Sequence, residues 1–271
     1  GTLGAVATAL YGPMVAGCAA SAAGARDAPA ALAPSIGFKG IPVDASDKLV
    51  VAEGYIASVI AAWGEPVGVP GNMPAWKPDG SNTAAEQAVQ MGMHHDGIDY
   101  FPLNGNSSTR GLLAMNHEYT DDGLLHVGGF NNMNAEKVKK SQAAHGLAVI
   151  EVELKDNAWQ MVRPSRYAKR FPMDLPFEVR GPAAGHALMK TAADPSGTRV
   201  LGTLNNCASS KTPWGTFLSG EENFMFYFGG GDDIPAHHRR WGMRKDGFYQ
   251  WEKFDPRFDA KQTPNEANRF G

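Results

Sequence analysis

The sequence predicts an all-β fold, a sandwich, barrel or propeller of short strands, and three observations carry that prediction. Glycine and proline are frequent, 32 and 18 of 271 residues, so the chain turns often. Its apolar segments are short and bounded by Gly, Asn, Asp or Pro, the pattern of strands between turns. Only residues 134–145 carry helix signals, with Asn134 as the cap, Glu136 in the first turn and three lysines expected to point outward. In chain order the strand candidates are residues 55–63, 99–103, 111–115, 148–154 and 200–204. No fixed repeat period is visible, so the residues alone leave the three β architectures open.

Hydrophobic residues make up 43% of the chain, enough to bury a sizeable core. A net charge of −3 provides no basic field to hold a nucleic-acid backbone, which excludes that class of partner. Residues 1–25 differ from the rest: they carry no charge and are dominated by small and apolar residues. Gly12-Pro13 interrupts the apolar stretch and argues against a membrane-spanning helix. Ala23-Gly24-Ala25 has the form of an export cleavage site, and Val15-Ala16-Gly17-Cys18 that of a lipobox, where Cys18 would carry a lipid anchor. We therefore read 1–25 as the remnant of an export signal, 26–46 as a linker and 47–271 as the folded domain. A periplasmic or secreted bacterial monomer follows, touching the membrane only through Cys18. The mature domain would keep one cysteine, Cys207, as a reactive, intermolecularly paired or metal-bound thiol, or as a small buried hydrophobe.

Three places hold chemistry-bearing side chains. In His94-His95-Asp96 the alternation of a strand allows only His94 and Asp96 to share a site, and the trio reads more simply as a surface loop. Asn116 and Glu118 follow an apolar strand, and their oxygens suit a hard cation such as calcium. The densest region runs from 204 to 228, where Cys207 and the adjacent Glu221 and Glu222 fall within about one hairpin, so that soft sulfur and hard oxygen converge. Gly229-Gly230-Gly231 lacks the helix that a phosphate loop needs and reads as a flexible turn.

The string Asn206-Cys207-Ala208, Thr212-Pro213-Trp214-Gly215-Thr216 and Glu221-Glu222-Asn223 resembles the signature of PhoX-type bacterial alkaline phosphatases. Further segments look like family motifs in family order: Trp63-Gly64-Glu65-Pro66, Tyr100-Phe101-Pro102-Leu103, Asn116-His117-Glu118-Tyr119-Thr120 and Asn265-Glu266-Ala267-Asn268-Arg269-Phe270-Gly271. Ser209-Ser210 stands where the family commonly has two glycines, and Gly220 where a second cysteine is frequent. The resemblance implies part of a six-bladed β-propeller with loop insertions and a short helix, export by the twin-arginine route, and hydrolysis of phosphate monoesters for phosphate scavenging. It further implies two Fe3+ ions, bridged by an oxo group and a thiolate, together with Ca2+.

Carried over by motif, Cys207 would be the bridging thiolate, and Glu221 or Glu222 and Glu266 the carboxylate ligands. Asn116 and Glu118 would bind metal nearby, with Cys207 and Glu222 closest to the chemistry. Because family members are longer, 47–271 is read as the N-terminal part of the domain, and the chain by itself is expected to be inactive. Two other classes fit the residues less closely: a calcium-dependent propeller lactonase or phosphotriesterase, and a catalytically inactive envelope propeller that only binds. Metal content separates the three.

Overall fold

A computed structural model describes residues 37–271. The expected export signal over 1–25, with Cys18, lies outside the described residues, as does the linker up to residue 36. The chain divides into two compact units, one up to Ser58 and one from Val59 onward. In the first, residues 37–58 form no strand or helix, and Phe38 meets Tyr55 edge-on with ring centroids 5.5 Å apart.

The second unit is mostly β-sheet with few helices, as its turn-rich sequence predicts. Strands β1 (His95–Pro102), β2 (Arg110–His117) and β3 (Gly146–Lys155) run antiparallel in order. Both β4 (Ala158–Met161) and β5 (Lys169–Phe171) pair with the far edge of β3. Two hairpins follow, β6 (Leu175–Glu178) with β7 (Arg199–Gly202), and β8 (Asn206–Lys211) with β9 (Phe217–Glu221). Among the described residues these sheets do not close into a ring. Alternation along β3 sends Ala148, Ile150 and Val152 into a core with Val67, Met91 and Met115. A second core gathers Leu204, Tyr227, Phe228, Tyr249, Trp251 and Phe258.

Four expected runs, 99–103, 111–115, 148–154 and 200–204, fall on β1, β2, β3 and β7. Residues 55–63 do not form the expected strand: no other strand pairs with them, and turn bonds engage just the Tyr55 N–H, with the Ala52 carbonyl, and the Ala62 carbonyl, with the Glu65 N–H. The expected helix is present as Ala135–Ala144, with the Asn134 side chain accepting the Lys137 N–H at 3.0 Å. Its lysines do not all point outward. Lys139 is exposed, but Lys140 is buried and donates to the carbonyls of Gly80 at 2.7 Å and Leu125 at 2.6 Å. Burial pushes that ammonium down to about 8. Nor is 229–231 a free turn: Gly229, Gly230 and Gly231 donate in succession to Phe258, Arg244 and Lys245, and the first two are buried.

His145, fully buried, joins the helix end to the second core. Its Nδ1–H donates to the Ser141 carbonyl at 2.7 Å, which leaves Nε2 to accept the Tyr227 hydroxyl at 2.9 Å. Burial holds this imidazole neutral, down to about 4 against an ordinary 6.5. Below about pH 6.5 the unfolded chain takes up a proton that the folded chain refuses until about pH 4. Stability should therefore fall across that window by about 3 kcal/mol from this group. Urea titrations at pH 7 and pH 4.5 should show a smaller acid loss for H145Q than for the wild type.

Candidate metal centre

Two antiparallel strand pairs build the site, and each contributes one group from a strand and one from just past a strand end. Asp96 lies in β1, and Glu118 follows the last residue of β2. Cys207 lies in β8, and Glu222 follows the last residue of β9. The ladder of β1 shifts register between Asp96 and Asp99, and that of β8 between Asn206 and Ser209. Such irregularities re-aim side chains, and here they occur where Asp96 and Cys207 sit.

The two pairs meet at Gly97. A Cβ there would lie 2.5 Å from Asn116 Nδ2 and 2.7 Å from the Cys207 carbonyl oxygen, and the residue has φ of +46°. Only glycine satisfies both conditions without displacement. Asn116, opposite Asp96 in the ladder and fully buried, bridges the approach. Its Nδ2 donates to the Cys207 carbonyl at 2.8 Å, and its Oδ1 accepts the Ser219 hydroxyl at 2.8 Å.

The result is a crowd of acids around one thiol. Ligand atoms of Asp96, Glu118 and Cys207 lie within 4.8 Å of one another. The Cys207 thiol donates to Asp96 Oδ2 at 3.2 Å, and Glu222 also accepts from it. Those hydrogen bonds, aided by burial and the charges of Asp96 and Glu118, push the thiol up to about 12. Burial, with the charges of Asp96 and Glu222, pushes Glu118 above the usual carboxylate range. A multivalent cation would relieve this repulsion and bind both oxygen and sulfur, so the donor set fits a metal cluster.

Of the residues singled out in the sequence, the structure brings together Cys207, Glu222 and Glu118. Strand alternation separates the adjacent glutamates: Glu221 pairs with Asn206, and Glu222 falls on the side of Cys207. The carboxylate of Glu221 accepts from the Thr203 hydroxyl, the Leu204 N–H at 3.0 Å and the Gly271 N–H at 3.0 Å. Glu266 is buried between two arginines, with Oε1 at 2.5 Å from Arg257 Nε and Oε2 at 3.3 Å from Arg269. Its charge is met there by protein cations. Asn116 touches the Cys207 backbone through an amide whose two ends are already engaged. Asp96, assigned above to a surface loop, is instead a strand residue in the cluster. Its neighbours His94 and His95 are occupied elsewhere, one stacked on Tyr119 with centroids 3.8 Å apart and the other 3.1 Å from the Gly92 carbonyl.

The family model described as alkaline phosphatase PhoX matches residues 36–271. The chain belongs to the PhoX family. It is similar to a solved structure, Pseudomonas fluorescens PhoX in complex with vanadate, a transition state analogue, with a TM-score of 0.82 and 44% identity. The match covers 87% of this chain and 41% of that one, so the chain spans less than half the length of this PhoX relative. No curated protein sequence matches it.

Replacing Gly97 tests the meeting of the two strand pairs. G97A must push β8 from Asn116 while holding alanine at a left-handed φ, an expected loss of about 2–4 kcal/mol. Urea unfolding measures it; a loss under about 0.5 kcal/mol would show that the strands separate freely.

Proposed function

We propose that the protein hydrolyses phosphate monoesters, as an alkaline phosphatase that scavenges phosphate with two ferric ions and calcium. The observation that supports this most is the convergence of Asp96, Glu118 and Cys207 within 4.8 Å, with Glu222 beside the thiol. Membership of the PhoX family and the relative's complex with a transition state analogue point the same way. Because the chain spans 41% of that relative, the proposal concerns the full-length protein. On the same reading its sheets are blades of a six-bladed propeller, and the protein is exported to the periplasm.

Asp96, Glu118, Glu222 and Cys207 would hold the cations. Bound, these ions supply positive charge against the phosphoryl oxygens and generate a nucleophile near neutral pH. Cys207 would ligate as a thiolate, and the proton it now shares with Asp96 would have to leave for it to do so. The balance of the reaction is simple. A water oxygen bonds to phosphorus, the ester P–O bond breaks, and the departing alcohol oxygen ends with a proton from that water. The chain itself fixes the acceptors. Gly97 and Asn116 hold β8 against β1, and the Glu222 N–H donates to the Asn205 carbonyl at 2.9 Å, which sets where β9 ends.

Elemental analysis of the full-length protein, beside hydrolysis of a chromogenic phosphate monoester, tests the proposal. Iron and calcium should both be present, and C207S should lose visible absorption and at least about 100-fold in activity, about 2.7 kcal/mol of barrier. Calcium alone would favour a lactonase or phosphotriesterase. Full activity in C207S would remove the thiolate from the mechanism.

A further inference from the structure

A cavity of about 660 Å³ opens beside the cluster, a size typical of small-molecule sites. Glu118 belongs both to the cluster and to the lining of this cavity, so the two are continuous. Aromatic rings form much of the wall; Tyr227 and Tyr249 are buried, but four others remain open to solvent, Phe248 at 65% and Tyr119, Phe130 and Phe226 each at 40% exposed. Phe130 and Phe248 meet edge-on with centroids 6.4 Å apart, and the Arg244 guanidinium lies 5.8 Å from the Phe226 ring centroid. Several exposed rings around one opening are costly in water and mark a binding surface. Such rings and a guanidinium plane share one preference, for a flat π face. The lining carries three acids, Glu118, Asp121 and Asp246, against the single guanidinium of Arg244, a balance that disfavours a second anion. What enters is therefore uncharged and planar.

We propose that this cavity seats a planar aromatic group carried by the alcohol of the phosphate ester. Nucleoside monophosphates and aryl phosphates are then preferred to sugar or glycerol phosphates. The inference rests on the monoesterase reading above and names its substrate class. The phosphoryl group faces the carboxylate–thiol cluster, and the ring lies among Phe130, Phe226 and Phe248.

The test uses the full-length protein with its metals and compares 5′-AMP with ribose 5-phosphate. Both release the same kind of primary alcohol, so they differ in the base and not in the bond broken. Expected is a kcat/KM at least about tenfold higher for 5′-AMP, with the gain in KM. In F248A that ratio should fall toward one. F248L keeps apolar bulk but loses the π face; it should show the same fall, with an unchanged melting temperature. Adenosine, which has no phosphate, should bind the wild type in isothermal titration calorimetry and not F248L. A ratio near one in the wild type, or a ratio that survives both substitutions, overturns the proposal. So does a large drop in melting temperature for both variants with the ratio intact, which would mark Phe248 as a packing contact for another segment. If neither ester is hydrolysed but adenosine binds through Phe248, the monoesterase reading fails while the aromatic seat stands.

Discussion

The close passage of β8 over β1 at Gly97 is the constraint on which the site depends. With no Cβ there, the Asn116 amide reaches the Cys207 carbonyl at 2.8 Å, and the thiol arrives beside Asp96. Those two residues are 111 positions apart in the chain. Strand pairing alone would leave them on separate sheets. One buried amide, satisfied at both ends, closes the gap, and a buried polar group held in this way fixes geometry because any other placement leaves it unpaired.

The same logic extends backward into the core. Asn205, at φ of +48°, donates through Nδ2 to the Tyr227 hydroxyl at 3.0 Å, and that hydroxyl reaches His145 at 2.9 Å. Asn205 Oδ1 accepts the Asn223 N–H at 2.6 Å. Residues on either side of the β8–β9 hairpin are thus tied to one buried aromatic cluster. Tyr249, stacked on Tyr227 with centroids 5.0 Å apart, donates to the Thr120 carbonyl at 3.0 Å and holds the segment that carries Glu118. Two tyrosines therefore anchor both halves of the site, and its acids and thiol stand on rigid supports.

Electrostatics sorts the acids. Glu266 is neutralised by Arg257 and Arg269, and Glu221 is spent on hydroxyl and backbone N–H donors. Asp96 accepts the Gly97 N–H at 2.7 Å, and beyond that it has, like Glu118 and Glu222, only an uncharged thiol and other acids beside it. Acids compensated within the protein build structure; acids left to repel one another are available to a cation.

Much of the candidate site was legible in the sequence because it is local. The one cysteine beyond residue 25, two adjacent glutamates and the motif around them pointed to one hairpin, and short runs between turns located β1, β2, β3 and β7. Local signals failed where the answer depends on distant partners. Residues 55–63 have a strand's composition but no strand to pair with, and Lys140 looked solvated until two carbonyls from elsewhere in the chain captured it. Asp96 was visible only as part of a histidine-rich cluster, since nothing nearby records that β8 passes over Gly97. The choice between Glu221 and Glu222 likewise waited on register, because alternation sends neighbours to opposite faces and the pairing partner decides which is which. The sequence by itself determined the β-rich class, the hairpin and the kinds of side chain gathered around it. Tertiary structure decided which acids share the thiol, because that rests on a contact between strands more than 90 residues apart, at a spacing only glycine permits.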